Sequence, residues 1–348
     1  MSLPRVLVTG AEGYVGRRLA PFLATQDLDV HGWDAGFFVG PDLFTAERSA
    51  VHWRRWDIRD VNASELRGFD AIVHLAELSN DPLGELNPAL TRAINQHGTA
   101  RLAKAARDAG VRRFLYFSSC SVYGEGGTKP CNENTEPRPQ TVYARCKVGS
   151  EQALVGLASA NFTPVIFRNA TVYGPSPAMR FDLVVNHLSA CAHARGCIEL
   201  TSDGTPWRPL LHIEDLCRAA VVGLRAPASV VHGRVFNIGG DEENYTVRDI
   251  AEAVQYIYPD CPIRFGHRGA DRRDYRVTFG RAQEELGFKP RRSLREAIGE
   301  LAALYRQADL NMEQFEEPPY FRVKHIRALI ATGQLDEHLR RVHAMLQR

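Results

Sequence analysis

The stretch RVLVTGAEGYVGRRL, residues 5–19, constrains the fold of this chain more than any other. Its apolar residues 6–8 predict a short buried strand, and the segment after the glycines predicts a helix. Gly10, Gly13 and Gly16 lie between them with the spacing G-x-x-G-x-x-G. Glycines here permit a tight turn, close approach of backbone N–H groups to a pyrophosphate, and close packing of the helix on the strand. The stretch therefore predicts a dinucleotide-binding loop at the start of an α/β domain.

An acidic residue follows this loop at the distance that a dinucleotide needs. Asp34 ends the next apolar run, residues 28–34, eighteen residues after Gly16. A carboxylate about 20 residues beyond such glycines accepts hydrogen bonds from the adenosine ribose hydroxyls and repels a 2′-phosphate. No arginine immediately follows Asp34. We therefore expect NAD rather than NADP as the cofactor.

Strand and helix patterns alternate along most of the chain. After residue 50, buried runs that predict strands lie at 51–56, 69–76, 114–119, 162–167 and 235–238. This alternation predicts an α/β fold with a doubly wound parallel sheet of the Rossmann type and right-handed crossovers. The run 51–56 ends at Asp57, and a strand end at this edge of a parallel sheet faces the cofactor crevice, so we expect Asp57 to contact adenine.

The alternation is interrupted after about residue 173, which suggests how the chain is divided. We expect residues 1–173 to form the NAD-binding Rossmann domain, completed by about 213–240. A smaller, mixed substrate-binding lobe at the carboxyl side would comprise 174–212 and 241–305. Residues 306–348 are charged and helix-prone, and they predict a helical C-terminal extension, either docked or loosely held.

Composition narrows the partners to small molecules. The formal net charge is +2 with both signs scattered along the chain, so neither nucleic acid nor an acidic membrane is expected. The cysteines number seven and show no C-x-x-C spacing, which argues against disulfides and zinc, and we expect no metal. The first residues lack a charged-then-apolar signal pattern, and no apolar run approaches about 20 residues. We expect a cytoplasmic protein.

Tyr143 and Lys147 form a Y-x-x-x-K pair at the start of a predicted helix. Side chains four residues apart lie on one helix face, so the Lys147 ammonium should favour the phenolate and lower the pKa of Tyr143. A tyrosine with a lowered pKa suits general base catalysis. The pair therefore predicts a proton-transfer site.

Ser119 supplies a third member at the end of the predicted strand 114–119. A hydroxyl there can donate a hydrogen bond to the substrate oxygen while the tyrosine exchanges its proton. Ser118, Cys120 and Ser121 compete for that place. We expect Cys120 to be a packing residue, since no histidine lies near it in the sequence to activate it.

Taken together, these segments resemble the NAD-dependent epimerase/dehydratase family of extended short-chain dehydrogenase/reductases. The family's blocks follow in order over about residues 5–300, as TGAEGYVG, HLA, NQHGT, FSSCSVYG, YARCK, VYGP, DGTPWRPLLHIED and FNIGG. The resemblance implies that Ser119, Tyr143 and Lys147 form a catalytic triad. It also implies a homodimer in which the helices around 86–109 and 141–158 pair across a two-fold axis.

The resemblance further implies which residues bind ligands. For the cofactor these are Gly10, Gly13, Tyr14, Val15, Gly16, Asp34, Asp57, Ile58, Leu75, Ala76, Asn95, Tyr143, Lys147 and Asn169. For a nucleotide-sugar substrate they are Ser79, Ser121, Thr171, Arg208 and Arg268, the two arginines holding its diphosphate.

The leading hypothesis is an epimerase that oxidises a ring hydroxyl to a ketone and reduces it again. The alternative is a net ketoreductase or dehydrogenase of a keto-sugar nucleotide or another small carbonyl compound. A regulator that senses NAD without chemistry is the third possibility, which the intact triad opposes. The dehydratases of the family carry Thr-x-Glu where this chain has Ser119-Cys120-Ser121, so 4,6-dehydration is not expected.

Overall fold

The computed structural model describes residues 3–40, 42–45, 47–127, 129–267 and 274–342. The strands in these ranges are β1 (Arg5–Thr9), β2 (Asp29–Asp34), β3 (Val51–Arg55), β4 (Ala71–His74), β5 (Arg113–Ser119), β6 (Thr163–Asn169), β7 (Thr171–Tyr173), β8 (Ile198–Glu199), β9 (Trp207–His212), β10 (Arg234–Ile238), β11 (Asn244–Thr246) and β12 (Ile263–Arg264).

Seven of these strands form one sheet in the order β10-β6-β5-β4-β1-β2-β3, and every neighbouring pair is parallel. The central strands are apolar along their length because helices cover both faces of a parallel sheet. The strand order reverses between β1 and β4, which opens a crevice at the carboxyl ends of those strands. The prediction of a doubly wound parallel sheet is confirmed.

The α-helices of the described ranges are α1 (Gly16–Ala24), α2 (Asp81–Leu86), α3 (Pro88–Thr91), α4 (Thr99–Asp108), α5 (Val142–Leu157), α6 (Val184–Arg195), α7 (Ile213–Arg225), α8 (Ala228–Val231), α9 (Val247–Ile257), α10 (Gly280–Leu286), α11 (Leu294–Gln307), α12 (Met312–Glu316) and α13 (Arg322–Ala331). A π-helical segment, Arg92–Gly98, joins α3 to α4. None of these helices is long and apolar enough to cross a membrane.

Two apolar clusters fill the two faces of the large sheet. Leu19 of α1 and Leu216 of α7 pack in one cluster with residues of β1, β5 and β6. Leu102 of α4 and Leu154 of α5 pack in the other, and Ile326 of α13 joins it from the C-terminal segment. Helices therefore flank the sheet on both sides, which leaves its carboxyl edge open for a ligand.

A third cluster holds the smaller lobe together. It contains apolar residues of α6, α9 and α11, packed with residues of β8 and β9. The lobe has a three-stranded sheet, β11-β9-β7, in which β9 pairs antiparallel with β11 and parallel with β7. Since β7 begins two residues after β6 ends, the chain passes directly from the large sheet into the lobe above its carboxyl edge.

Candidate active site

One cleft lies over the carboxyl ends of the parallel strands, and most of the predicted ligand-binding residues line it. These are Gly10, Gly13, Tyr14, Val15, Gly16, Asp34, Asp57, Ile58, Leu75, Ala76, Ser79, Ser119, Ser121, Tyr143, Lys147, Asn169 and Thr171. Residues at or just after the ends of six strands of the large sheet, together with residues of α5, thus converge on a single crevice. This is the place where open α/β sheets bind ligands.

The glycine loop is shaped by close backbone contacts. Gly10 has φ +71°, and a Cβ there would lie 2.7 Å from Ala76 N. A Cβ on Gly16, the first residue of α1, would lie 2.3 Å from Gly10 O. Any side chain at these positions would displace the loop from β4 or α1. The loop therefore stays narrow, with the helix N-terminus directed toward the cleft as a pyrophosphate requires.

Two carboxylates mark the end of the cleft nearest β2 and β3. Asp34 accepts hydrogen bonds from Gly36 N at 2.5 Å and Glu12 N at 3.0 Å, which fixes its orientation. Burial raises the pKa of Asp34, and these two N–H groups oppose the rise. Burial acts on Asp57 in the same sense, but hydrogen bonds and charge from Arg59 hold the pKa of Asp57 below its usual value.

The proton-transfer pair is held by the N-terminus of α5. Thr141 caps this helix by accepting from Ala144 N at 3.1 Å. Lys147 lies one turn beyond Tyr143, with Nζ 5.4 Å from the centre of the Tyr143 ring. Ser119 ends β5 and lines the same cleft as Tyr143 and Lys147. The three predicted catalytic side chains therefore meet in the cleft.

Glu77 is a site residue that the sequence analysis missed. Its carboxylate lies in the cleft, with Oε2 2.6 Å from Lys147 Nζ, and Oε1 accepts from the Tyr116 hydroxyl at 2.7 Å. Lys147 Nζ also donates to Phe117 O at 2.5 Å. The lysine is therefore fixed by two groups of the protein, the Glu77 carboxylate and the Phe117 carbonyl. The sequence did contain a signal for this residue. An acidic residue directly follows the buried run 69–76, and that run ends at the sheet edge where ligands bind.

The pKa of Tyr143 moves opposite to the prediction. Burial raises it well above the usual value, and the charges of Glu77 and Asp81 raise it further. Arg180 and the Ser119 hydroxyl oppose this rise. The prediction considered only Lys147, whereas in the folded chain this ammonium is paired with Glu77 and cannot act on the phenol alone.

Of the three residues that compete with Ser119, Ser118 and Cys120 bond to other groups of the protein. Ser118 donates to Glu151 Oε1 at 2.5 Å, inside a buried network with Arg168. Cys120 is 1% exposed, and burial raises the pKa of its thiol well above the usual value. Ser121 remains in the cleft, with a buried hydroxyl oxygen that has no hydrogen-bond partner. Cys120 is thus a packing residue, as predicted.

Three predicted binding residues are not among those lining the cleft. Asn95 is fully buried, and its amide accepts from Leu78 N at 2.9 Å and donates to Leu78 O at 3.0 Å, so it holds the segment after β4 in place. Arg208 is buried in β9, where it donates to Trp207 O at 2.7 Å. Arg268 lies outside the described residues.

Two buried arginines in the cleft were also missed. Arg180 donates through Nε to Asp182 Oδ1 at 2.8 Å, while its Nη2 has no hydrogen-bond partner. Arg322, from α13, is 2% exposed and its Nε has no partner. No local pattern marks either residue among the many arginines of the chain, because each enters the cleft only through the tertiary fold.

The cleft suits an anionic dinucleotide. Its buried side-chain atoms without partners include donors on Arg180 and Arg322 and an acceptor on Asn169, next to the constricted glycine loop. Such orphaned polar atoms are costly in a folded protein unless a ligand or water satisfies them. The glycine loop and Asp34 would hold the phosphates and adenosine ribose, and Tyr143 and Lys147 mark the reacting end.

Comparisons with known proteins agree with this geometry. The family described as NAD dependent epimerase/dehydratase matches residues 6–239. The UDP-glucose 4-epimerase of Mycolicibacterium smegmatis is 31% identical over 317 residues, covering 87% of this chain and 98% of that protein. The dTDP-glucose 4,6-dehydratase of Streptomyces griseus is 30% identical over 315 residues, covering 87% and 94%.

A solved structure extends the similarity to three dimensions. The UDP-glucuronic acid 4-epimerase from Bacillus cereus, in complex with UDP-glucuronic acid and NAD, aligns with a TM-score of 0.76 and 26% identity. The alignment covers 87% of this chain and 99% of that one. Family match, sequence relatives and fold all point to the same group of NAD-dependent enzymes. This chain belongs to the NAD dependent epimerase/dehydratase family.

Proposed function

We propose that this enzyme is an NAD-dependent nucleotide-sugar epimerase that inverts a ring carbon through a transient ketone. The observation that carries the proposal is the meeting of Ser119, Tyr143 and Lys147 in the same cleft as the glycine loop. The similarity to a UDP-glucose 4-epimerase and to a UDP-glucuronic acid 4-epimerase supports a nucleotide sugar as the substrate.

In this mechanism Tyr143 takes the proton of the sugar hydroxyl and later returns it to the same oxygen. Ser119 donates a hydrogen bond to that oxygen and fixes it beside the phenol. NAD, when bound, supplies the acceptor and then the donor of the hydride. Arg180 and Ser119 oppose the rise in the pKa of Tyr143 that burial, Glu77 and Asp81 cause, and to that extent they favour its action as a base.

We propose that the protein holds the Lys147 ammonium in one fixed position in the cleft. Its ammonium is fixed between Glu77, Phe117 O and the ring of Tyr116, which lies 4.7 Å from Nζ. A lysine held in this way keeps its place when ligands enter, and preorganised groups cost no rearrangement during the reaction. Ser79, Ser121 and Thr171 line the same cleft and are proposed to contact the sugar.

Glu77 favours a second candidate, a dehydratase. Loss of water needs a further proton-transferring group, and the stretch Ser119-Cys120-Ser121 holds no acid. Glu77 brings a buried carboxylate into the cleft from the end of β4 instead. Because an epimer keeps the mass of its substrate whereas a dehydrated product does not, mass spectrometry of the product separates the two candidates.

The test is incubation of the purified enzyme with a panel of nucleotide sugars, without added NAD, followed by proton NMR. Turnover to an epimer is expected for the natural substrate. The variant Tyr143→Phe should lose about 10²- to 10⁴-fold in rate while still binding NAD, since it lacks only the proton-transferring hydroxyl. Tyr256→Phe, at a residue 65% exposed, is the matched control and should leave the rate unchanged. Stoichiometric consumption of NADH would instead support the reductase.

We further propose that the enzyme is a homodimer through α4 and α5 and that it acts in the cytoplasm. The exposed Val155 on α5 offers an apolar contact for a partner helix. All seven cysteines are buried and free, which suits a reducing compartment. Light scattering should report twice the mass of one chain, and a mass near 38.8 kDa would exclude the dimer.

A further inference from the structure

The C-terminal segment 312–342, here called the strap, connects the smaller lobe with the NAD-binding end of the large sheet. On the lobe, Glu316 pairs with Arg195 of α6 at 2.7 Å, and Tyr320 O accepts from Phe181 N at 2.9 Å. These contacts fix the beginning of the strap. They place its helix α13 beside the entrance of the cleft.

The far end of the strap is bound to the loops that follow β2 and β3. Leu339 O accepts from Arg59 Nη2 at 2.9 Å, and Arg340 Nη1 lies 3.2 Å from Asp57 Oδ2. Arg341 donates to Gly36 O. Asp57 and the residues beside Asp34 are predicted to hold the adenosine. The strap therefore closes against the adenosine end of the cleft.

Between these two anchors, α13 contributes directly to the cleft wall. His325 Nε2 donates to Phe37 O at 2.8 Å, which ties the helix to the loop after β2. Arg322 is 2% exposed, lines the cleft, and stacks with its guanidinium carbon 3.9 Å from the centre of the Phe38 ring. A residue nearly three hundred positions beyond Asp34 thus belongs to the same binding surface.

The protein itself leaves the Arg322 guanidinium undercompensated. Its Nε has no hydrogen-bond partner, and the nearby Arg180 also has an unpartnered nitrogen in the cleft. Burial and the charge of Arg180 lower the pKa of Arg322 to about 9, while Asp182 and Asp34 raise it. Two buried cations with free donors and too little anionic charge around them describe a site for an oxyanion.

We propose that Arg322 binds the diphosphate of NAD from the strap. A guanidinium is suited to a diphosphate because its planar donors can bind two oxygens at once. The diphosphate of NAD joins adenosine, expected at Asp34, to the nicotinamide end at Tyr143, and Arg322 lines the same cleft as these two residues. Release of NAD then requires the strap to lift, so the cofactor stays bound through many cycles. The proposal rests on NAD binding and not on the identity of the sugar.

The test compares Arg322→Met with the control Arg327→Met, an exposed arginine on the same helix. Calorimetry on the NAD-free full chain measures the affinity for NAD, ADP-ribose, adenosine and UDP. Arg322→Met should weaken NAD and ADP-ribose by about ten- to a hundredfold, the effect of losing a hydrogen bond to a charged group. Adenosine and UDP should change less than about twofold, and Arg327→Met should change none of the four.

Other outcomes would overturn the proposal. Equal losses for adenosine and ADP-ribose would mean that Arg322 only shapes the pocket, and a loss confined to UDP would assign it to the substrate diphosphate. If Arg322→Met does not fold, Arg322→Lys keeps the charge without the two-pronged geometry and should show an intermediate loss for ADP-ribose. Absence of epimerase activity on every sugar would leave these binding results unaffected.

Discussion

Replacement of Glu77 by glutamine tests the buried ion pair that anchors Lys147. The substitution keeps an acceptor for the Tyr116 hydroxyl but removes the charge 2.6 Å from Lys147 Nζ, where the two side chains are 5% and 2% exposed. Loss of one partner of such a pair costs about 3 to 5 kcal/mol, because the other charge stays buried without compensation. Phe117 O still accepts from Lys147, so we expect the lower end of this range, about 3 kcal/mol.

Urea unfolding of the NAD-free protein is the suitable assay, since bound NAD would add its own stabilisation. The matched control is Glu65→Gln. In the wild-type protein, Glu65 Oε1 also lies 2.6 Å from a cation, Arg54 Nη2, but the two side chains are 19% and 49% exposed. The stability lost in Glu65→Gln should therefore stay below about 1 kcal/mol. The double variant Glu77→Gln/Lys147→Met removes both charges and should be more stable than the sum of the single losses predicts, by about 2 kcal/mol.

Additive losses in this cycle would refute the reasoning. So would a loss for Glu77→Gln no larger than that of the surface control. Either result would mean that water or another group compensates the lysine, and that Glu77 does not hold it in place. The contacts of Lys147 with Glu77 and Phe117 O would then not account for the fixed position that the proposed mechanism gives this lysine.

Two further predictions follow from the loop and the lobe. Gly16→Ala places a Cβ 2.3 Å from Gly10 O, so the loop must shift, and NAD affinity measured by calorimetry should fall about ten- to a hundredfold; unchanged affinity would contradict this. Burial raises the pKa of Glu243 from 4.5 to about 7, and the charge of Asp215 adds to this rise. Because the folded state then holds the proton more tightly than the unfolded chain, it loses stability as the pH rises from 4.5 through 7. Glu243→Gln should therefore be more stable than wild type by about 1 to 3 kcal/mol at pH 8 and equal to it at pH 4, and equal stability of the two proteins at pH 8 would exclude the raised pKa.

Much of the fold follows from local patterns. The buried strands are continuous apolar runs because both sheet faces are covered, and such runs are visible in the sequence. The glycine spacing, Asp34 and the Tyr143–Lys147 pair also lie within short segments whose geometry is set by one turn or one helix. Their convergence could be predicted because parallel strands end at a common edge.

The remaining site residues depend on distant packing. Glu77 meets Lys147, seventy positions later, only because the tertiary fold brings the segment after β4 next to α5. The same pairing, with burial, reverses the expected direction of the Tyr143 pKa shift, which local spacing alone does not reveal. Asn95 fits the family order, but its side-chain amide hydrogen-bonds the backbone of Leu78. Such a contact depends on how the π-helical segment Arg92–Gly98 packs against the loop after β4.

The sequence by itself determined the class of fold, the dinucleotide loop and the proton-transfer pair, because each depends on residue type and on spacing within one or two neighbouring elements. The tertiary structure decided which charges stand opposite one another in the cleft. It paired Glu77 with Lys147 and brought Arg322 of the strap to the loop after Asp34. Electrostatic energies depend on distance and burial in the folded chain, and neither can be read from separation along it.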